Sequence, residues 1–280
     1  MHEPPLLSAD QRARFAADGV LVLPGFYDAV ADVEPVQRGI HAVIGQVMAR
    51  HGVADERPPY QAAAFDAGYG QLIAIDRAYG GEVYDAVKQI PAFMRLVMHS
   101  ANERVMAELR PGCVPGVAAG GYGIRIDNPG EDRFRALWHQ EYPAQLRSLD
   151  GIVFWSPLVP ISSELGPVVV CPGSHRDGPV PVRITGQDGR QGAYALALDD
   201  ESARVARYSQ QAPLTGPGDL ILLDFLLLHA SGHNRARRSR WSMQFRYFNF
   251  ADPTGRGHGW QGSYAAGVDF RAIHPELCID

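Results

Sequence analysis

The most apolar stretch of the chain occupies residues 218–234 and reads GDLILLDFLLLHASGHN. It is interrupted by Asp224 and is far too short to span a bilayer. A short apolar run between turn-forming residues is typical of a buried β-strand, so we expect one strand over Asp219–Leu228. The run ends at His229, where a buried imidazole would need a partner, because an unpaired polar group in an apolar core is costly. Two roles remain possible for His229: a core histidine whose polar atoms are hydrogen-bonded by its neighbours, or a metal ligand.

Four more β-rich runs alternate with Gly, Pro and Asp turns from about residue 116 onward. They cover Tyr122–Ile126, Gly151–Leu158, Gly166–Cys171 and Trp241–Phe250. The chain holds 30 Gly and 21 Pro, which suits a turn-rich β architecture better than a helical bundle. Many short strands with turn signals between them indicate a sandwich or a barrel.

The first hundred residues have a helical pattern instead. Ser8 is predicted to cap a first helix, with Gln11 reaching back to it, and Gly19 to end it before a short strand. Further helices are predicted at about residues 32–51 and within 82–106.

The chain is long enough for one large core, with 280 residues of which 46% are hydrophobic and 20% charged. We expect a single domain over residues 1–280. About 1–110 would be a mostly helical elaboration, and about 115–255 the β core.

The charge is mild, at -5, and no basic run resembles a nucleic-acid footprint. The three cysteines are widely spaced, which argues against a disulfide framework or a cysteine zinc site. The N-terminal residues show no apolar leader. We therefore expect a cytoplasmic protein without a nucleic-acid or membrane partner; a homo-oligomer is open.

A second motif, Trp138-His139-Gln140-Glu141, places a carboxylate two positions after a histidine. In a strand, residues i and i+2 project to the same face, so His139 and Glu141 would point together. With a distant second histidine they would form the two-histidine, one-carboxylate set that non-haem iron(II) oxygenases use. The motif is short, and an exposed strand with two outward polar residues is the alternative.

Arg240 follows His229 by eleven residues and opens the run RWSMQF. If a turn near residues 234–238 reverses the chain, Arg240 and Ser242 fall on one inward face of the next strand. A guanidinium matches a carboxylate with two parallel hydrogen bonds, and a hydroxyl adds another donor. The pair is therefore predicted to bind a carboxylate.

Taken together, these motifs resemble the phytanoyl-CoA dioxygenase-like family of Fe(II)/2-oxoglutarate oxygenases. The similar stretches are QRARF at 11–15, DGVLVLPG at 18–25, WHQE at 138–141, GPVVVCPGSH at 166–175 and HASGHN at 229–234. They cover almost the whole chain. The resemblance implies a mainly β fold with added helices, a double-stranded β-helix (jelly-roll, cupin-like) core, and use of Fe(II), 2-oxoglutarate and O2.

The resemblance also implies roles for single residues. The positions that correspond to the family's iron ligands are His139, Glu141 and His229. Arg240 corresponds to the residue that binds the remote carboxylate of 2-oxoglutarate. Trp155 falls where the family can place a tryptophan beside the cosubstrate. Ser242 is assigned to the same carboxylate from strand periodicity alone.

Two further histidines are weaker candidates. His175 closes the PGSH turn, where a hydrogen bond to the backbone is the favoured role, and His233 is either a substrate contact or merely exposed. Glu141 departs from the aspartate usual in the family and is one methylene longer. Since halogenase relatives replace this carboxylate with a small residue, Glu141 argues against halogenation.

The expected activity is that of a 2-oxoglutarate-dependent dioxygenase that hydroxylates a small molecule, with release of succinate and CO2. Desaturation, cyclisation and epimerisation are alternative outcomes. The expected substrate class is a secondary metabolite or an amine-bearing natural product. Two rival functions stay open: a cupin-like divalent-metal enzyme (isomerase, epimerase or hydrolase) without 2-oxoglutarate, and a non-catalytic binding jelly roll. Arg240 favours the oxygenase, because the rivals need no anchor for a ketoacid.

Overall fold

The computed structural model describes residues 4–184, 196–262 and 268–279. Among these, the α-helices before residue 110 are α1 (Ala9–Asp18), α2 (Glu34–Arg50), α3 (Tyr69–Ile75), α4 (Arg77–Val87), α5 (Pro91–Val97) and α6 (Ser100–Leu109). The later ones are α7 (Tyr142–Gln145), α8 (Glu201–Val205), α9 (Pro253–Gly257) and α10 (Phe270–Ile273). Within these residues no helix has both the length and the apolar character needed to cross a membrane.

The cap predicted for α1 is confirmed. The Ser8 hydroxyl accepts a hydrogen bond from the Gln11 backbone at 3.1 Å, and the Gln11 side chain accepts one from the Ser8 backbone at 2.8 Å. Gly19 ends the helix with a φ of 70°, a left-handed conformation that glycine adopts without strain. The chain then enters its first strand.

The described residues form eleven strands. They are β1 (Val20–Leu23), β2 (Pro115–Val117), β3 (Gly123–Asp127), β4 (Gly151–Pro157), β5 (Val168–Val170), β6 (Val182–Ile184), β7 (Leu196–Leu198), β8 (Leu220–Asp224), β9 (His229–Ser231), β10 (Arg240–Asn249) and β11 (Cys278–Ile279). The largest sheet is antiparallel with the order β1-β8-β4-β10-β2, and β3 pairs with the first half of β10. The long strand β10 therefore lies near its centre.

Both faces of this large sheet are covered. Every residue of β4 and β8 is buried, as expected for strands with neighbours above and below. On the outer face, the Tyr247 hydroxyl of β10 donates to the Val97 carbonyl of α5 at 2.8 Å. On the inner face, Val153, Leu223 and Gln244 line a cavity. The N-terminal helices thus cover one side, and the cavity lies on the other.

Two smaller sheets form the opposite wall of the cavity. One pairs β5 with β9, and the other has the order β11-β6-β7. Val168 of β5, Leu196 of β7 and Ala230 of β9 line the same cavity as the large sheet. The prediction of a mainly β fold with added helices is confirmed.

The apolar run at 218–234 contains a turn after Asp224 that its amino-acid composition does not indicate. β8 ends at Asp224, whose carboxylate accepts a hydrogen bond from the Leu226 backbone at 2.8 Å. The chain then crosses to the other wall, where β9 begins at His229. The interpretation of residues 219–228 as one strand is therefore wrong in its second half. The turn carries His229 across the cavity from the large sheet.

Candidate metal centre and active site

His139 and His229 lie directly opposite each other on neighbouring segments. Each backbone N–H donates to the carbonyl of the other residue, at 3.0 and 3.1 Å. A residue pair of this kind holds its side chains side by side, and the two ring centroids are 4.2 Å apart. The two histidines, ninety residues apart in sequence, thus meet through a single reciprocal pair of backbone hydrogen bonds.

Glu141 reaches the same point by a different route from the one predicted. Its backbone is helical, with φ -70° and ψ -34°, and it directly precedes α7. The prediction that His139 and Glu141 share a face of one strand is therefore wrong. The chain leaves its extended course after His139, and the N–H groups of Glu141 and Tyr142 both donate to the Phe225 carbonyl, at 2.9 and 3.1 Å. The turn between β8 and β9 thus positions the carboxylate.

Both histidines present the same nitrogen to the space between them. His139 Nδ1 lies 2.8 Å from the Leu137 carbonyl, and His229 Nδ1 lies 2.9 Å from the Leu227 carbonyl. A carbonyl oxygen can only accept, so each Nδ1 carries the proton and each Nε2 keeps a free lone pair. A backbone carbonyl that orients the ring in this way is the usual second partner of a metal-binding histidine.

The protonation states of the three groups suit a metal ion. Burial lowers the pKa of His139, and burial together with His139 lowers the pKa of His229 to about 3. Burial raises the pKa of Glu141, but Arg246 and the two histidines lower it by more, to about 2. At neutral pH both imidazoles are therefore neutral and the carboxylate is ionised, as metal ligation requires.

The donor atoms are close enough to share one ion. One ligand atom from each of His139, Glu141 and His229 lies within 4.8 Å of the other two, and His229 Nε2 is 3.8 Å from Glu141 Oε2. Metal–ligand bonds of about 2 Å place donor atoms roughly 3–4 Å apart, so small side-chain rotations bring all three into range. Two neutral imidazoles and one carboxylate are the donor set of an open non-haem iron(II) site.

These three side chains line one cavity of about 1090 Å³. Its other polar or aromatic lining residues are Tyr84, Asp85, Lys88, Tyr122, Arg125, Trp138, Gln145, Trp155, Ser231, Gln244 and Arg246. The volume is at the upper end of the roughly 300–1,000 Å³ common for small-molecule sites. The cavity can therefore hold more than one small ligand beside the candidate metal centre.

Arg240 is buried, with 1% of its surface exposed, and neither it nor Ser242 is among the residues that line this cavity; it adjoins the cavity through Ser231, which does line it. Its guanidinium donates to Asp127 Oδ2 at 2.7 Å, to Ser231 Oγ at 2.8 Å and to the Gly166 carbonyl. Its Nε and the Ser242 hydroxyl are buried without a hydrogen-bond partner among the described residues. Two buried donors without acceptors on one face of β10 fit an anionic ligand, because such groups are rarely left unpaired.

The other candidates from the sequence have distinct surroundings. Trp155 lines the cavity from β4, directly across from Gln244 of β10. His175 lies 3.2 Å from the Ala16 carbonyl, which confirms its expected hydrogen bond to the backbone. His233 is half exposed and lies 2.9 Å from Asp132, away from the cavity-lining set.

Two residues of the site are missing from the sequence-based assignment. Ser231 lines the cavity and contacts Arg240, and Arg246 donates to Glu141 Oε1 at 3.0 Å. Both follow from the two-residue period of a strand, since Ser231 is two positions after His229 and Arg246 is six after Arg240.

The fold and this cluster define a β-sheet protein with a candidate two-histidine, one-carboxylate metal centre. The family model of phytanoyl-CoA dioxygenase (PhyH) matches residues 15–242, and the chain belongs to this family. The resemblance inferred from the sequence is therefore confirmed. No curated protein matches the chain in a sequence search.

Three of the solved structures with a similar fold are the following. EctD from S. alaskensis, with 2-oxoglutarate and 5-hydroxyectoine, has a TM-score of 0.58 and 20% identity, over 89% of this chain and 78% of its own. The carbocyclase SnoK from nogalamycin biosynthesis has a TM-score of 0.56 and 16% identity, over 88% of each chain. The epimerase SnoN, in complex with Fe3+, alpha ketoglutarate and nogalamycin RO, has a TM-score of 0.56 and 16% identity, over 93% of this chain and 91% of its own. At these identities the likeness is one of fold.

Proposed function

We propose that this protein is an Fe(II)- and 2-oxoglutarate-dependent dioxygenase that hydroxylates a small molecule. The proposal rests on one observation above all: the free Nε2 atoms of His139 and His229 and the Glu141 carboxylate converge at a cavity, with their second atoms held by hydrogen bonds. Family membership and the fold of its neighbours point to the same class. The two walls of the cavity would then be the layers of a double-stranded β-helix.

In this function His139, Glu141 and His229 hold the iron. The metal, with 2-oxoglutarate and O2, would supply the oxidising chemistry and release succinate and CO2. Arg240 and Ser242 would bind the remote carboxylate of the cosubstrate through the buried donors that have no partner among the described residues.

Trp155 and Ser231, both in the cavity wall, would flank the same cosubstrate. With Asp127 as its counter-ion, Arg240 is held in place before any ligand binds, so little side-chain entropy is lost on binding.

The substrate is proposed to be a secondary metabolite or an amine-bearing natural product. The rings of Tyr122 and Trp138 line the cavity and suit a cation beside an aromatic surface, whereas Asp85 and the Tyr84 ring already contact Lys88. The neighbours include a carbocyclase and an epimerase, so cyclisation and epimerisation are the alternative outcomes on the same site. Product analysis by mass spectrometry separates them, since hydroxylation adds one oxygen and epimerisation leaves the mass unchanged.

A runner-up function is a divalent-metal enzyme that does not use 2-oxoglutarate. One observation favours it: Arg240 already pairs with Asp127 and with Ser231, so part of its hydrogen-bonding capacity is occupied. In that function the triad would still bind a metal, but 2-oxoglutarate would not.

Anaerobic titration with Fe(II) and 2-oxoglutarate tests the proposal through the weak visible charge-transfer band of the iron chelate. We expect the band in the wild type, its absence in His139→Ala, and a requirement for much more 2-oxoglutarate in Arg240→Ala. The matched control is His233→Ala, which removes a half-exposed histidine outside the cavity lining. Metal binding without any band at saturating 2-oxoglutarate would favour the runner-up.

A further inference from the structure

The two oxygens of the Glu141 carboxylate have different surroundings. Oε1 accepts hydrogen bonds from Arg246 Nε at 3.0 Å and from Gln145 Nε2 at 3.2 Å. Oε2 lies 3.8 Å from His229 Nε2, on the side of the candidate metal centre. The carboxylate is thus held by one oxygen and open at the other.

Arg246 is itself fixed by its surroundings. It lies in β10 and is paired with Val153 of β4, near the middle of the large sheet. Its remaining nitrogens donate to the Gly121 carbonyl and to Gln244 Oε1, both at 3.2 Å. The guanidinium therefore cannot follow Glu141 if that side chain rotates.

Gln145 approaches the same oxygen from helix α7. It is four residues after Glu141, the spacing at which helical side chains meet. The direction of its amide is set by Arg147, which donates to Gln145 Oε1 at 3.4 Å and to the Ala119 carbonyl at 2.7 Å. The NH2 group of Gln145 thus faces Glu141.

These contacts matter because glutamate can bind a metal through one oxygen or through both. The two-histidine, one-carboxylate set serves oxygen chemistry only while its remaining positions stay open. Chelation by both oxygens of Glu141 would fill one of the positions that a bidentate ketoacid and a further ligand need.

We propose that Arg246 is a positioning residue that holds Glu141 Oε1 away from the metal, so that Glu141 binds through Oε2 alone. Gln145 assists it as the second donor to Oε1. The proposal rests on the metal site of the proposed function, and it assigns a reason for the pairing of glutamate with arginine.

The test uses Co(II) as the probe, without cosubstrate and without turnover. Wild type, Arg246→Met and Arg246→Lys are titrated anaerobically, and the visible ligand-field bands report affinity and the number of ligand atoms. Lys88→Met is the control, because it removes another cation of the same cavity that contacts Asp85 and not Glu141. Thermal unfolding of each metal-free variant is measured in parallel.

We expect Arg246→Met to bind Co(II) about 10–100-fold more weakly, as is typical when a partner of a metal ligand is lost. Its bands should shift as the second oxygen of Glu141 becomes free to bind. Arg246→Lys, which keeps a charge and one donor, should fall between Arg246→Met and wild type, and Lys88→Met should match wild type.

Wild-type affinity and wild-type bands in Arg246→Met would overturn the proposal. Loss of cooperative unfolding in metal-free Arg246→Lys would overturn it too, since the role of Arg246 would then be structural. If Arg246→Met alone fails to fold, Arg246→Lys and Gln145→Leu decide, each with a band shift expected. Failure of the wild type to bind Co(II) would instead reject the metal centre, and so the proposed function.

Discussion

Replacing Asp127 with alanine should strongly destabilise the protein. The Asp127 side chain is only 9% exposed and lies between two arginines: it accepts from Arg125 Nε at 2.9 Å and from Arg240 Nη2 at 2.7 Å. Removing one partner of a buried ion pair typically costs about 3–5 kcal/mol, because the remaining charge is left uncompensated. At roughly 2–4 °C per kcal/mol for a chain of this size, the unfolding midpoint should fall by about 6–20 °C.

The stability lost on removal of Asp127 should be largest at neutral pH and should decrease as the pH falls. Burial raises the pKa of Asp127, but Arg125 and Arg240 lower it by more, so the folded-state pKa lies below the unfolded one. The carboxylate therefore stabilises the fold above the unfolded pKa of about 3.9, and this contribution is lost as the pH falls through the folded value. Wild type and Asp127→Ala should differ most at neutral pH and converge only below about pH 4.

Differential scanning calorimetry between pH 3 and pH 8 measures both effects. Asp85→Ala serves as the control, because its ion pair with Lys88 is exposed and such pairs contribute little. Addition of 2-oxoglutarate should raise the unfolding midpoint of Asp127→Ala more than that of wild type, since the remote carboxylate of 2-oxoglutarate would pair with the buried Arg240 charge that the substitution leaves without its partner. A midpoint for Asp127→Ala within 2 °C of wild type at pH 7 would refute the reasoning.

Three further predictions concern the opposite wall of the cavity, around β5 and β9. Burial, together with His139, lowers the pKa of His229 in the folded protein to about 3, so the unfolded chain binds more protons between about pH 6.5 and pH 3. The metal-free wild type should therefore lose stability as the pH falls through that range. His229→Gln should lose less stability over the same range, which calorimetry measures. Ser231→Ala should weaken 2-oxoglutarate binding by roughly tenfold, because the Ser231 hydroxyl would no longer hold the Arg240 guanidinium in place and one hydrogen bond to a charged group contributes about 1.5 kcal/mol; calorimetric titration measures it, and tighter binding would show instead that Ser231 competes with the ligand for Arg240. Gly166→Ala should destabilise the fold, because φ is 74° and the added Cβ would lie 2.7 Å from the Gly232 carbonyl; an unchanged unfolding midpoint would contradict this.

The sequence predicted which residues come together better than it predicted the local structure around them. His139, Glu141 and His229 meet, yet Glu141 is helical and not in a strand. The WHQE motif indicates which residue types could bind a metal. The backbone conformation at Glu141 depends instead on the Phe225 carbonyl, which accepts a hydrogen bond from the Glu141 N–H. No pattern within four residues can show a hydrogen bond to a segment more than eighty residues away.

Local signals succeeded where the structure itself is local. The Ser8 cap with Gln11 and the end of α1 at Gly19 were readable because every atom involved lies within one helix. The strand predicted within the apolar run at 218–234 is wrong in its second half, because the turn there leaves no clear signal in the amino-acid composition. Leucine suits a strand and a buried turn equally, so only the contact of Asp224 with the Leu226 backbone reveals where β8 ends.

One strand connects the two halves of the proposed chemistry. On one face of β10, Arg240 and Ser242 carry the buried donors without acceptors, whereas Gln244 and Arg246 line the cavity toward Glu141. Residues on one face of a strand keep a fixed spacing, and β10 is held on both sides by β4 and by β2 and β3. The proposed carboxylate anchor and Arg246, the proposed positioning residue of Glu141, are therefore parts of one rigid element. A ligand anchored at Arg240 would meet a metal whose geometry is set from the same backbone, and neither group needs to move for the other to be in place.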